Sequence, residues 1–283
     1  MTIRQAVEIP VHPWYHDHFF NNATILPAVE AMLFLAGIAR DIRPDIRINT
    51  IVNARFMKFL AIPPGAEKLS AFVEYEEKAT DSTDDFQIRL LSRIQFKKIR
   101  RIKEHVELTF CMGSTEAPDP PELPAKEIIP IEAERIYREL VPFGPAYRSL
   151  QGLLQLSGPI ATGRLKAPSP GLSHPLEKEM GSPFPLDGAM HAASVLGQCI
   201  TDFVPFPVGF EKRHIHRPTR PGSKYRVTVH STARTTDELL FDLWIFDCGG
   251  NCCETVTGLK MRDVSRGAVR PPADLPSVTF SPQ

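Results

Sequence analysis

The sequence predicts an α+β fold of two similar halves, each an antiparallel sheet wrapped around one long buried helix. Three observations predict it. Two long apolar segments of helical character stand far apart, one following Pro27 and one covering roughly 186–203. Each is joined to runs that alternate apolar and charged residues, as a strand does when one face meets water. Between the two sets lies APDPPELPAKEIIP (117–130), with five prolines in fourteen residues, which no sheet interior and scarcely any helix accepts. The expected division is 1–116 for the first half, 117–130 for a stiff connector, 131–266 for the second half and 267–283 for a loosely ordered tail.

In chain order, Val29, Met32, Leu33 and Ala36 recur at helical spacing, and Pro27 suits the first helical turn, where its missing N–H costs nothing. Strands are expected over 69–77 and 86–96, and over 105–112, where Val106, Leu108, Phe110 and Met112 alternate. After the connector comes a short amphipathic segment, 131–140, and then strands on either side of Gly158-Pro159. The second long helix follows. Residues 225–229 alternate strictly, and 239–246 joins 252–261 through Gly249-Gly250-Asn251, a strong hairpin signal. Helices apolar all round and strands apolar on one face are both satisfied when a sheet wraps a central helix.

Composition narrows the function classes. The 283 residues carry 33 basic and 33 acidic side chains, so nothing argues for nucleic acid or an anionic membrane as partner. The opening MTIRQAVEIP has no apolar core of signal-peptide type. The most hydrophobic stretch, 23–39, contains Pro27 and Glu30 and is short for a membrane span. Five cysteines without an export signal suggest thiols in a reducing compartment, and a cytoplasmic protein is expected.

Two short signatures carry the chemistry. His18 opens HFFNNATILP, and Asp187 opens DGAMH, each leading into one of the long helices. An imidazole and a carboxyl in apolar settings suit moving a proton and a hydroxyl as base and acid. Taken singly, Asp187 also suits a helix cap and His18 a hydrogen-bonded core histidine.

These signatures resemble those of the dehydratase domains of polyketide and fatty acid synthases, which are double hotdog folds. The first family motif is a His, a Gly four residues on and a Pro five beyond; here it reads His18, Asn22, Pro27. The second is an Asp with Gln or His four residues later, matched by Asp187 and His191. PFGPAYRSL (142–150) is similar to the family's Tyr-Gly-Pro-x-Phe segment, and HIHRPTRPG (214–222) to the strand and turn after the second helix. The resemblance runs over roughly 10–264. There are departures: Asn22 replaces the Gly near the thioester, Phe143 replaces a Tyr, and Ser182-Pro183 replaces His-Pro. The family's N-terminal strands are expected to be shortened or absent.

The resemblance implies loss of water from a 3-hydroxyacyl thioester on the phosphopantetheine of an acyl carrier protein, with no metal and no diffusible cofactor. His18 would be the base and Asp187 the acid, kept protonated by burial, with His191 one turn on orienting it. Asn22, Pro27, Phe143, Gly144 and Tyr147 are the implied substrate-binding positions, and backbone N–H groups at the start of the first helix would meet the thioester oxygen. Acyl carrier protein and separate synthase components would be partners, with the chain a monomer or homodimer. The same dyad in related double hotdogs also serves aldol cyclisation of product-template type, and enoyl isomerisation and carrier binding without turnover are further readings.

Weaker features have ordinary explanations. His12, His16, Asp17 and His18 have metal-ligand chemistry but no second cluster aligned with them. Cys248, Cys252 and Cys253 read as reduced thiols on strands. KKIRRIK (97–103) reads as a solvated strand end or turn, or as a surface steering an acidic carrier. No Walker-type loop, dinucleotide fingerprint or Gly-x-Ser-x-Gly elbow is present.

Overall fold

The computed structural model describes residues 1–76, 85–96, 99–111, 118–122, 128–171 and 174–278. Its first half comprises β1 (Thr2–Pro10), β2 (Phe19–Phe20), β3 (Ala23–Thr24), α1 (Ala28–Ile42), β4 (Thr50–Phe56), β5 (Lys68–Glu76), β6 (Phe86–Phe96) and β7 (Ile99–Phe110). The second half comprises β8 (Ile129–Glu132), β9 (Leu150–Ser157), β10 (Ile160–Lys166), α2 (Pro183–Gln198), β11 (Phe206–Ile215), β12 (Lys224–Arg234), β13 (Glu238–Phe246) and β14 (Cys252–Arg262). Twelve of these strands form one antiparallel sheet in the order β1-β5-β6-β7-β4-β11-β14-β13-β12-β10-β9-β8, while β2 and β3 pair as a separate hairpin.

The two helices are where the apolar periodicity puts them. α1 buries Val29, Met32, Leu33, Leu35, Ala36 and Ala39, and Pro27 caps it from outside rather than sitting in its first turn. α2 begins three residues before the predicted start, at Pro183, and every one of its residues is buried. It packs on β9, β10, β12 and β13 and also meets α1. Large side chains such as Phe110, Phe210 and Phe241 are fully buried in the sheet's inner face. Each contributes about 1.5–3 kcal/mol of transfer free energy.

The seam between the halves is β4 against β11, with Phe210 opposite Ala54, Lys212 opposite Val52 and Arg213 opposite Ile51. Neither strand announces itself in the sequence. β4 is broken by Asn53 at φ 53°, inside an irregular register with β7, so its alternation slips. β11 carries Glu211, Lys212, Arg213 and His214 in succession, and only its end lies in a segment read as strand. Gly209, at φ 152°, is required there: a Cβ would stand 2.2 Å from the Ala54 carbonyl oxygen. Behind the seam, the buried Arg213 guanidinium donates to Glu254 Oε1 at 2.7 Å.

Two further expectations need correction. β1 is a full strand of nine residues paired with β5 from Thr2↔Glu76 to Pro10↔Lys68, so the N-terminal edge is neither missing nor vestigial. Segment 131–140 comprises the end of β8, a helical turn at Ala133–Arg135 and a wider turn at Ile136–Leu140. Of the residues after Arg266, expected to be loose, the described ones (267–278) strap across the end of α2. Val278 N–H donates to the Cys199 carbonyl at 2.9 Å, and Arg270 pairs with Asp202 at 2.7 Å. β7 reaches back through Arg101 and Ile102, both exposed, while Lys97 and Lys98 lie outside the described residues. No helix among the described residues is long and apolar enough to cross a membrane.

Candidate active site

His18 sits between a 3-10 turn (Pro13–Asp17) and the β2–β3 hairpin. Its N–H donates to the Tyr15 carbonyl, and its own carbonyl accepts from Ile25 N–H, each at 3.0 Å. The hairpin closes on Asn21 and Asn22, at φ 48° and 61°. Asparagine is among the few residues that take this left-handed conformation at low cost, which is why Asn22 can stand where the family has Gly. Both asparagine side chains are exposed at the tip.

The imidazole is buried, and its Nδ1 lies 3.2 Å from the Ile25 carbonyl oxygen. A carbonyl only accepts, so Nδ1 carries the proton and Nε2 keeps its lone pair. Burial pushes the pKa of His18 down to about 4, with the Asp187 charge opposing and His191 adding to the shift. His18 is therefore neutral at physiological pH and able to accept a proton.

PFGPAYRSL packs against this ring. Phe143 stacks on His18 with centroids 4.3 Å apart, and its ring centroid is 5.1 Å from that of His191. Tyr147, fully buried, approaches His18 edge-on at 5.1 Å. Asp17 holds the segment in place. Its carbonyl accepts from Gly144 N–H and its Oδ2 from Ala146 N–H, both at 2.8 Å. A Cβ on Gly144 would lie 2.4 Å from Asp17 Oδ1, so the contact demands glycine. Pro27 is buried at the start of α1.

Asp187 and His191 occupy one face of α2, 6% and 4% exposed. His191 Nε2 is 3.0 Å from Asp187 Oδ2, yet neither atom completes an aligned hydrogen bond. On its other side, His191 Nδ1 is 3.4 Å from the Tyr137 hydroxyl, which accepts from Leu150 N–H at 2.8 Å. The phenol accepts from Leu150 N–H and can turn its own proton to Nδ1; in that arrangement the imidazole Nε2–H faces Asp187. Gly188 lets α2 come this close to the start of β9, since a Cβ would stand 2.7 Å from Ser149 Cβ.

The structure thus gathers His18, Phe143, Gly144, Tyr147, Asp187 and His191, with Asn22 and Pro27 on the periphery. Sequence reasoning missed Tyr137, Asp17 as an anchor, and Glu30, which is buried on α1 and touches Tyr147. An acidic residue inside an apolar helix was the available signal for Glu30; nothing marks Tyr137. His12 stacks on Trp14 at 4.4 Å, and among the described residues no group of three His, Cys, Asp or Glu side chains is placed to hold a metal ion. Cys248, Cys252 and Cys253 carry free thiols.

The model of the polyketide synthase dehydratase N-terminal domain matches residues 115–271, more than half of the chain and including Asp187 and His191. The chain belongs to the polyketide synthase dehydratase family. Solved dehydratase domains share its fold. One from the CurF module of the curacin polyketide synthase is 18% identical with a TM-score of 0.69, covering 92% of this chain and 93% of its own. A trans-AT polyketide synthase dehydratase domain from Brevibacillus brevis is 15% identical with a TM-score of 0.69, covering 93% and 94%. One from a mycocerosic acid synthase-like synthase gives 12%, 0.69, 92% and 91%. No curated relative matches the chain's sequence. The fold of this dehydratase-family protein is the double hotdog, one helix to each half.

Proposed function

We propose that this protein removes water from a 3-hydroxyacyl thioester carried on the phosphopantetheine of an acyl carrier protein, leaving the α,β-unsaturated thioester. One observation carries the reading. A neutral histidine from the first half stacks on Phe143, whose ring also meets His191, the neighbour of the buried Asp187 carboxyl from the second half. His18 Nε2 takes the α-proton, and that C–H electron pair becomes the Cα=Cβ bond. The C–O pair leaves with the hydroxyl, which takes the proton of the Asp187 carboxyl and departs as water. His18 is then imidazolium and Asp187 carboxylate, and a proton passed between them restores both. His191, held by Tyr137, stands 3.0 Å from the Asp187 carboxyl and limits where it can turn. Phe143 and Tyr147 wall the reacting carbons. The proposed partners are an acyl carrier protein and the other synthase components, in the cytoplasm.

Mass spectrometry of carrier-bound or pantetheine-linked 3-hydroxyacyl thioesters tests this, with His18→Ala and Asp187→Asn beside the wild type. Loss of water by the wild type alone is the expected outcome. A product of unchanged mass, cyclised or with a shifted double bond, would replace dehydration by another reaction of the same dyad. Activity retained in both variants would sink the residue assignment.

A further inference from the structure

A carboxyl that the dehydration scheme does not use is bonded to the groups that surround His18. Glu30, in the first turn of α1, is 6% exposed. Three donors converge on it. Trp14 Nε1 reaches Oε1 at 3.0 Å, the Tyr147 hydroxyl reaches Oε1 at 3.4 Å, and the Tyr15 hydroxyl reaches Oε2 at 3.4 Å. Trp14 and Tyr15 come from the turn that delivers His18, and Tyr147 comes from the segment that packs edge-on against it. One carboxyl therefore ties the first half's base to the wall supplied by the second half.

We propose that Glu30 is a positioning residue whose carboxylate form, by accepting all three hydrogen bonds, locks Tyr147 against His18, and that protonation of Glu30 loosens this wall. The inference rests on the dehydratase reading for its kinetic consequence but not for its structural one. The chemistry is asymmetric. An ionised carboxylate is acceptor-only and satisfies three donors at once. A protonated one must place its own O–H, and Trp14 can only donate; a tyrosine hydroxyl can accept that proton only by turning its own away.

The groups facing Glu30 set where this exchange occurs. Burial pushes its pKa up to about 7, against the hydrogen bonds from Trp14 and Tyr15, while the charges of Glu177, on the short helix Glu177–Met180, and of Asp187 on α2 add to the rise. Tyr15 and Tyr147, held well above the ordinary phenol range by burial and by Glu30, do not ionise in the working range. The switch is therefore the Glu30 proton, and it moves near neutral pH.

The imidazole resonances of His18 in the full chain, followed by NMR from pH 5 to 9, test the link without any turnover. The wild type is expected to show a step near pH 7, far from His18's own titration, and Glu30→Gln and Tyr147→Phe are expected to lack it. The kcat of dehydration should rise through the same step in the wild type. In Glu30→Gln it should be flat and roughly tenfold lower at pH 8, with KM within about twofold. A His18 step that persists in Glu30→Gln overturns the inference, and so does one unaffected by Tyr147→Phe while both variants melt as cooperatively as the wild type. If the NMR step behaves as expected but no 3-hydroxyacyl thioester is turned over, the functional reading fails and the coupling of Glu30 to His18 stands.

Discussion

Glu30 on α1 and Asp187 on α2 are matched in almost every respect except their partners. Each lies within the opening residues of a long central helix with a proline at its start, Pro27 as the cap of α1 and Pro183 as the first residue of α2, and each is 6% exposed. Glu30 receives three hydrogen bonds from aromatic side chains. The Oδ2 atom of Asp187 receives no aligned one, although His191 Nε2 stands 3.0 Å away. The difference separates two uses of a buried carboxyl. One saturated with donors organises its neighbours, whereas one left open keeps an oxygen free to meet another group, the role proposed for Asp187.

The largest expected effects come from exchanging these roles. Asp187→Asn should cut dehydration roughly 10²–10⁴-fold, the usual worth of a general acid. Its stability should change by less than about 1 kcal/mol, because little is bonded to Oδ2. Glu30→Ala should do the reverse to stability, costing about 3 kcal/mol by stranding the buried hydroxyls of Tyr15 and Tyr147 and the half-buried Trp14 N–H. Turnover assays and urea melts on the two variants decide between these outcomes. A collapse of Asp187→Asn in urea, or an unperturbed Glu30→Ala, breaks the comparison.

Acid sharpens it. Glu30 holds its proton up to about pH 7 when folded but only to its ordinary 4.5 when unfolded. Its stabilising contribution is complete below 4.5 and lost as pH rises through 7. His18 behaves oppositely: its folded pKa of about 4 lies below the ordinary 6.5, so its contribution is complete above 6.5 and lost as pH falls through 4. Each shift corresponds to about 3 kcal/mol. Over the shared window the two contributions offset each other. Relative to the wild type, Glu30→Gln should therefore gain stability with rising pH across that window and His18→Asn should lose it, measured as urea midpoints at intervals of pH. Parallel curves for the two variants would refute both assignments.

How far the site was legible in the sequence follows the same contrast. His18 and Asp187 stand at the mouths of helices whose apolar periodicity is plain, so local pattern located them. Both helices and most strands were readable, the helices because they are long apolar runs and the strands because each buries one face. β4 and β11 were not, because the seam is built from a left-handed Asn53 and a Gly209 that touches the facing backbone. Those irregularities are consequences of joining the halves, and alternation along a single strand cannot reveal them. The helpers of the site were hidden for a related reason. Tyr137 reaches His191 across 54 residues and Asp17 reaches Ala146 across 129, and such pairings exist only once the halves are docked.

Tyr137→Phe tests one of these long-range helpers at a smaller scale. It removes the acceptor for Leu150 N–H and the donor to His191, leaving a buried backbone group unpaired, which costs roughly 1–2 kcal/mol. With His191 free to turn, kcat should fall several-fold while KM holds. An unchanged kcat would make the Tyr137–His191 contact a matter of packing and would leave Asp187 oriented by the helix alone.

The smallest effect is expected where the sequence looked most abnormal. Asn22 replaces the family's glycine near the thioester. The structure gives the position a left-handed backbone at φ 61° in the turn of a two-residue hairpin, with the side chain in solvent. Asparagine and glycine both occupy that conformation at little cost, glycine losing slightly more chain entropy on folding. Asn22→Gly should therefore shift stability by less than about 0.5 kcal/mol and leave turnover within about twofold. Asn22→Val should cost far more, since a β-branched residue resists positive φ and the strain would reach His18 through the Ile25 clamp. If glycine instead raised turnover strongly, the asparagine side chain would have to reach the reacting thioester, and the hairpin would have to close over the substrate during the reaction.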